Sequence, residues 1–228
     1  MRKIVLIIFS FALTCFLGMS CSEIDNADPP SSLVEGTIRY NNEPVAVEQS
    51  QIWFNLIQAG FDFESDLPMA VDQDGNFSAL LFNGDYRVEI SGSAPYTFQG
   101  GAESVDLKVA GSQTFDIAVV PFFFIPENSV QYSISGNNLT ATFTVEQPDA
   151  TKTLDQVAVF VGDTRIVDGS INTDVVVESV PAGDLTGLTN IEVTVDISSF
   201  DKNYVFVRAG AQAAGAPWNY SLTKKMDK

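Results

Sequence analysis

The sequence predicts an all-β protein, two tandem β-sandwich domains behind an N-terminal leader. Three observations carry this. Apolar residues recur at every second position through most of the chain, the period of a half-buried strand. Turn signals such as Asp74-Gly75, Asn83-Gly84, Gly111-Ser112 and Gly136-Asn137-Asn138 punctuate those runs. Over the first domain no helical period competes with them, and many short strands with turns between them make a sandwich.

The leader comes first. Arg2-Lys3 is a basic n-region and Ile4 to Leu17 an apolar h-region, too short for a comfortable membrane span. Leu17-Gly18-Met19-Ser20-Cys21 reads as a loose lipobox, which makes residues 1–20 a lipoprotein signal peptide and Cys21 the lipidated residue. Gly18 stands where an aliphatic residue is usual, and Cys15 is the weaker alternative. Residues 21–32, polar, acidic and rich in Pro and Ser, form the expected disordered tether. An acidic run after such a Cys resembles the export signal of Bacteroidota surface lipoproteins. The expected location is the outer membrane, lipid-anchored and facing the cell exterior.

Residues 33–121 form the first sandwich. Val34, Gly36, Ile38 and Tyr40 alternate with Glu35, Thr37 and Arg39, and Asn41 to Pro44 turns the chain. Gln51 to Gln58 is a strand with Ile52, Phe54 and Leu56 on one face and Trp53 on the other; Gly60 to Pro68 is a loop carrying Phe61 and Phe63. Val71 to Val88 is the most informative stretch: strand, Asp74-Gly75 turn, the apolar strand Phe77 to Phe82, Asn83-Gly84 turn, then Tyr86, Val88 and Ile90 alternating with Arg87 and Glu89. Asp72, Asp74 and Asn76 read as a hairpin turn rather than a calcium loop, since no distal Glu stands at the required spacing. Ser91 to Ser104, rich in Gly and Ser, is a loop holding Tyr96 and Phe98, and two further strands run through Val105 to Val109 and Phe115 to Val119.

Residues 122–228 form the second sandwich. Pro121-Phe122-Phe123-Phe124-Ile125-Pro126 is a rigid apolar hinge, expected to be buried between the domains. Beyond it, strands run through Val130 to Ile134, Leu139 to Val145, Val157 to Val161, Val175 to Val180, Ile191 to Ile197 and Tyr204 to Gln212. In the last of these, Val205, Val207 and Ala209 face one way and Phe206 and Arg208 the other.

These pieces carry a resemblance. Gly36-Thr37-Ile38, Asp74-Gly75-Asn76-Phe77 and Gly84-Asp85-Tyr86-Arg87-Val88 resemble the small sandwich of transthyretin-like and carboxypeptidase-regulatory-like domains, and the second domain resembles an immunoglobulin- or fibronectin-type sandwich. With the loose lipobox, the Pro-aromatic hinge and the closing Val207-Arg208-Ala209-Gly210-Ala211 and Trp218-Asn219-Tyr220-Ser221, nearly all of the mature chain resembles the Bacteroidota lipoprotein family of domain of unknown function 3823. That resemblance implies an accessory of a starch-utilisation-type glycan uptake system, whose partners would be a polysaccharide or oligosaccharide, an outer-membrane transporter and its binding lipoprotein. It brings no catalytic residues.

Composition narrows the function further. The 228 residues hold 12 basic and 29 acidic side chains, a net charge of −17, which disfavours nucleic acid and leaves the lipid anchor as the only membrane attachment. There is no His, and the only two Cys are Cys15 and Cys21. The body therefore lacks the commonest general base, the commonest metal ligand and any thiolate. No enzyme activity, metal or cofactor is expected, and a glycoside hydrolase is the weakest reading. Sugar recognition needs rings to stack on and polar groups to bond hydroxyls; the candidate platforms are Trp53, Phe61, Phe63, Tyr96, Phe98, Trp218 and Tyr220. A protein-interaction or spacer module without a sugar site is the alternative.

Overall fold

A computed structural model describes residues 28–49, 51–60, 66–168 and 175–228. The leader, Cys21, Phe61 and Phe63 lie outside the described residues. From Ser31 onward the chain forms one compact unit with two main hydrophobic cores.

The first core is built by strands β1 (Ser32–Tyr40), β2 (Glu43–Pro44), β3 (Trp53–Gln58), β4 (Asp66–Ala70), β5 (Asn76–Leu81), β6 (Gly84–Ser91), β7 (Tyr96–Phe98), β8 (Ser104–Val109), β9 (Gln113–Thr114) and β10 (Ile117–Pro121). β1 is the hub. Its first half pairs antiparallel with β5 and parallel with β9; its second half pairs antiparallel with β2 and parallel with β10, which carries β7 on its far side. The opposing sheet runs β4-β3-β6-β8, all antiparallel. Alternation turns Val34 and Ile38 inward and Leu33, Glu35 and Thr37 outward on β1. Across the gap Phe54 meets Phe77 edge-on at 5.6 Å and stacks on Phe98 at 6.2 Å, joining the two sheets. Gly36 is required by proximity: a Cβ there would stand 2.0 Å from the Phe115 carbonyl oxygen.

The second core lies between a three-stranded and a five-stranded sheet. β11 (Gln131–Ser135), β12 (Asn138–Phe143) and β15 (Ile191–Asp196) form the first. β13 (Leu154–Gly162), β14 (Val176–Pro181), β16 (Tyr204–Ala213), β17 (Trp218–Tyr220) and β18 (Lys224–Asp227) form the second, in the order β14-β13-β16, with β17 and β18 both on the far side of β16. Val157, Val159 and Val161 of β13 and Val205, Val207, Ala209 and Ala211 of β16 face this core. The opposite face of the same strands is also buried, because Ala158 and Phe160 pack with Tyr220 and with Ala46 of the first sandwich in a third, small cluster.

The hinge is buried, and its residues divide between the cores. Phe122, Phe123 and Ile125 belong to the second core; Phe124 belongs to the first and meets Tyr40 edge-on at 5.3 Å. Its backbone is claimed from both sides: Phe122 N–H donates to the Pro95 carbonyl, while Phe124 and Glu146 exchange a pair of bonds at 2.9 and 2.7 Å. Neighbouring side chains serving different cores hold the two sandwiches together without a flexible linker.

Candidate functional site

Among the described residues, polar groups gather in a buried joint and in an open cleft. The joint is centred on Arg208, fully buried on the non-core face of β16. Its guanidinium donates to the Val47 carbonyl at 3.0 Å and to the Val167 carbonyl, stands 3.8 Å from the equally buried Asp168 carboxylate, and lies over the Tyr220 ring with Cζ 3.5 Å from the centroid. Asp168 accepts from Gln49 N–H at 3.1 Å, and Tyr220 Oη donates to Glu48 at 3.4 Å. Gln73 bridges in both senses, donating to the Arg165 carbonyl and accepting from Val167 N–H, while Arg165 pairs with Asp74 at 2.6 Å. Burial works against the charge of Arg208, and it raises the Glu48 and Asp74 carboxyls above their usual range. Such a network holds two bodies in one geometry, around a guanidinium and a carboxylate that are both fully buried.

The joint explains the two closing sequence signatures. Gly210 pairs with Tyr220 and Ala211 with Asn219 in the β16–β17 ladder. Gly210 makes room for three rings, since a Cβ would meet Phe160 at 2.8 Å, Trp218 at 3.0 Å and Tyr220 at 3.3 Å. Asn219 accepts from Phe123 N–H in the hinge, and Ser221 Oγ accepts from Ala209 N–H beside the Tyr132 hydroxyl. The signatures are parts of a clamp between domains.

The cleft lies on the outer face of β1 and β5, with a volume of about 590 Å³, a size suited to a small ligand. Glu35, Thr37, Asn76, Ser78, Thr114 and Asp116 line it, and Gln49 ties it to the joint. Its side chains are held before any ligand arrives. Asp116 accepts from Thr37 N–H at 2.9 Å and from Arg39 Nε at 2.7 Å. Thr37 Oγ1 donates to Asn76 Oδ1 at 2.9 Å, and Asp72 accepts from the backbone N–H groups of Asp74 and Asn76. The Asp72–Asn76 turn is thus satisfied internally, as a hairpin turn should be. Among the described residues no cluster of His, Cys, Asp and Glu is suited to a metal ion.

The aromatic candidates separate clearly. Trp53 is 37% exposed, and its register partner is Ala70, a residue of the cleft wall. Directly paired antiparallel residues share a face about 5 Å apart, so Trp53 neighbours that wall residue without itself lining the cleft. Tyr96 and Phe98, expected in an exposed loop, are 2% and 1% exposed. They form β7, pair with Pro121 and Val119, and turn both rings into the first core. The Gly and Ser around them mark the bends that flank β7 rather than an open loop. Tyr220 is also buried, in the joint, and Trp218 is half-buried with its ring edge-on to Phe160 at 5.1 Å. These three buried rings offer no stacking surface. The polar cleft itself went unread in the sequence; the outward Glu35 and Thr37 of β1 and Asn76 and Ser78 of β5 were its signal.

Two family models cover the chain. The N-terminal domain of a protein of unknown function, DUF3823, matches residues 32–120, and the domain of unknown function DUF3823_C matches residues 125–225. No curated protein matches. Among solved structures, a DUF3823 family protein from Bacteroides ovatus is similar at 25% identity and a TM-score of 0.78, over 86% of this chain and 99% of that one. One from Parabacteroides merdae is similar at 24% identity and 0.76, over 88% and 100%. A third, from Bacteroides uniformis, described as a candidate carbohydrate binding protein, shares the fold at 18% identity and 0.66, over 88% and 100%. With its two tandem β-sandwiches, the chain belongs to the DUF3823 family.

Proposed function

We propose that this protein binds carbohydrate without catalysis, as a lipid-anchored accessory of a polysaccharide uptake system at the outer-membrane surface. The observation that carries the reading is the pre-ordered polar cleft, with the exposed Trp53 paired to its wall residue Ala70. Carbohydrate hydroxyls suit the mixed donors and acceptors of Thr37, Asn76, Ser78 and Asp116, and the C–H face of a pyranose suits an indole. The fold-sharing Bacteroides uniformis protein described as a candidate carbohydrate binder supports the same class of ligand. The absence of His, and of Cys beyond Cys21, leaves the body without a pair of the Ser–His or Cys–His kind, which supports the reading of binding alone. The leader and Cys21 support anchoring, with the transporter and its binding lipoprotein as partners.

Affinity electrophoresis of residues 22–228 against host and plant polysaccharides tests this. Retardation by one polysaccharide is expected, abolished by Trp53→Ala and retained by Trp218→Ala. No retardation by any of them, or retardation indifferent to Trp53→Ala, overturns the assignment and shifts the weight to a protein-interaction role.

A further inference from the structure

The outer face of β1 and β5 changes character along its length. At one end it is the polar cleft; at the other it carries Leu33, Leu80 and Phe82, exposed by 40%, 56% and 45%. Leu33 and Leu80 are register partners and Phe82 lies two residues further on, so the three side chains form one apolar patch. Glu35 borders the patch on the cleft side, and at its far end the frame is made of neutral groups tied by hydrogen bonds. Asn83 Oδ1 accepts from Ser32 Oγ at 2.7 Å and Gly111 N–H at 2.8 Å, Ser112 Oγ accepts from Leu33 N–H at 3.0 Å, and the Tyr86 hydroxyl donates to the Phe82 carbonyl at 3.0 Å. Three separate segments are thereby tied into a single tip. In a chain of net charge −17, a tip framed by Ser and Asn is suited to an interface that an acidic surface would avoid.

Connectivity says which interface. Leu33 is twelve residues after Cys21, and twelve residues fully extended span at most about 40 Å. We propose that Leu33, Leu80 and Phe82 form a docking tip that rests in the headgroup–acyl boundary of the lipid bilayer and sets the orientation of the body on the membrane. The proposal relies on lipidation of Cys21. The membrane contact comes from the acyl boundary rather than from headgroup charge, so it is insensitive to salt.

The test uses the full lipidated chain, purified in detergent and reconstituted into phosphatidylcholine vesicles carrying a fraction of acyl-brominated phosphatidylcholine. A Phe82→Trp variant keeps the patch apolar and adds an emitter. The expected result is a blue-shifted added emission, mostly quenched by the brominated lipid at low and high salt, with the quenching lost when Leu33→Ser and Leu80→Ser are added. An unquenched Phe82→Trp signal in protein whose lipidation is verified by mass spectrometry overturns the tip and leaves the anchor standing. Mass spectra without acyl chains on Cys21 overturn the anchor, and the tip with it. Sedimentation showing a dimer that Leu80→Ser dissociates assigns the patch to a second copy, and so refutes the lipid contact.

Discussion

Replacing Arg208 by Met removes a charge from the joint while keeping most of the side-chain volume. Two backbone carbonyls, Val47 and Val167, lose their donor, and each unsatisfied buried acceptor costs about 1–3 kcal/mol. Asp168, fully buried, keeps a carboxylate without its counter-charge; breaking a buried pair from one side costs about 3–5 kcal/mol. The contact over Tyr220 adds up to about 2 kcal/mol. These costs share one desolvation and do not add, so a net loss of about 4 kcal/mol is expected, a large part of the roughly 5–15 kcal/mol typical of a folded domain. Urea unfolding followed by circular dichroism measures it. Because Arg208 grips the first sandwich from the second, the variant is also expected to resolve one transition into two. Adding Asp168→Asn should recover about 1–2 kcal/mol by removing the stranded charge. A single transition weakened by less than about 1 kcal/mol would refute the clamp.

Other perturbations test separate parts of the account. Gly36→Ala forces a Cβ against the Phe115 carbonyl 2.0 Å away, and the adjustment of β1 is expected to cost at least about 2 kcal/mol by the same urea assay. Tyr96 buries a hydroxyl with no partner among the described residues, so Tyr96→Phe is expected to leave stability unchanged or raise it by about 1 kcal/mol. Glu48 is raised above its ordinary 4.5 by burial first and by Asp168 second. The folded state thus holds that proton more tightly, and the stability it contributes is lost as pH rises from about 4.5 through the raised value. Glu48→Gln keeps an acceptor for Tyr220 and removes the loss, so its melting temperature should gain on the wild type between pH 4 and pH 7; an equal difference at both pH values would contradict this.

The sandwiches were legible in the sequence because alternation reports burial on one face. Alternation was less informative where both faces are buried. Val157-Ala158-Val159-Phe160-Val161 reads as every second Val facing a core, yet Ala158 and Phe160 face a second apolar cluster. The uninterrupted run, rather than its period, was the sign of a strand covered on both sides. The opposed directions of Phe206 and Arg208 to their neighbours were readable, but not what Arg208 grips, because Val47 lies 161 residues away. Tyr96 and Phe98 misled because Gly and Ser describe the bends of a segment and not the three residues between them. The cleft was hidden for a related reason: its walls come from several strands, and only pairing brings Thr37, Asn76 and Asp116 together.

The bond from Tyr220 N–H to the Ala46 carbonyl has a consequence in time. Synthesis delivers the chain from its N-terminus, so the strip from Val45 to Glu48 is made early, while Arg208 and Tyr220 come almost last. Pairings this distant in sequence pay their loop-closure entropy late and are slow to form. Until they form, Ala46 lacks its apolar cover and Val47 lacks its donor, and a chain cut short before Arg208 keeps that strip open permanently. The first sandwich therefore carries on its own surface a record of whether the second was completed, and a protease that cleaves open strands would remove unfinished chains without any dedicated signal.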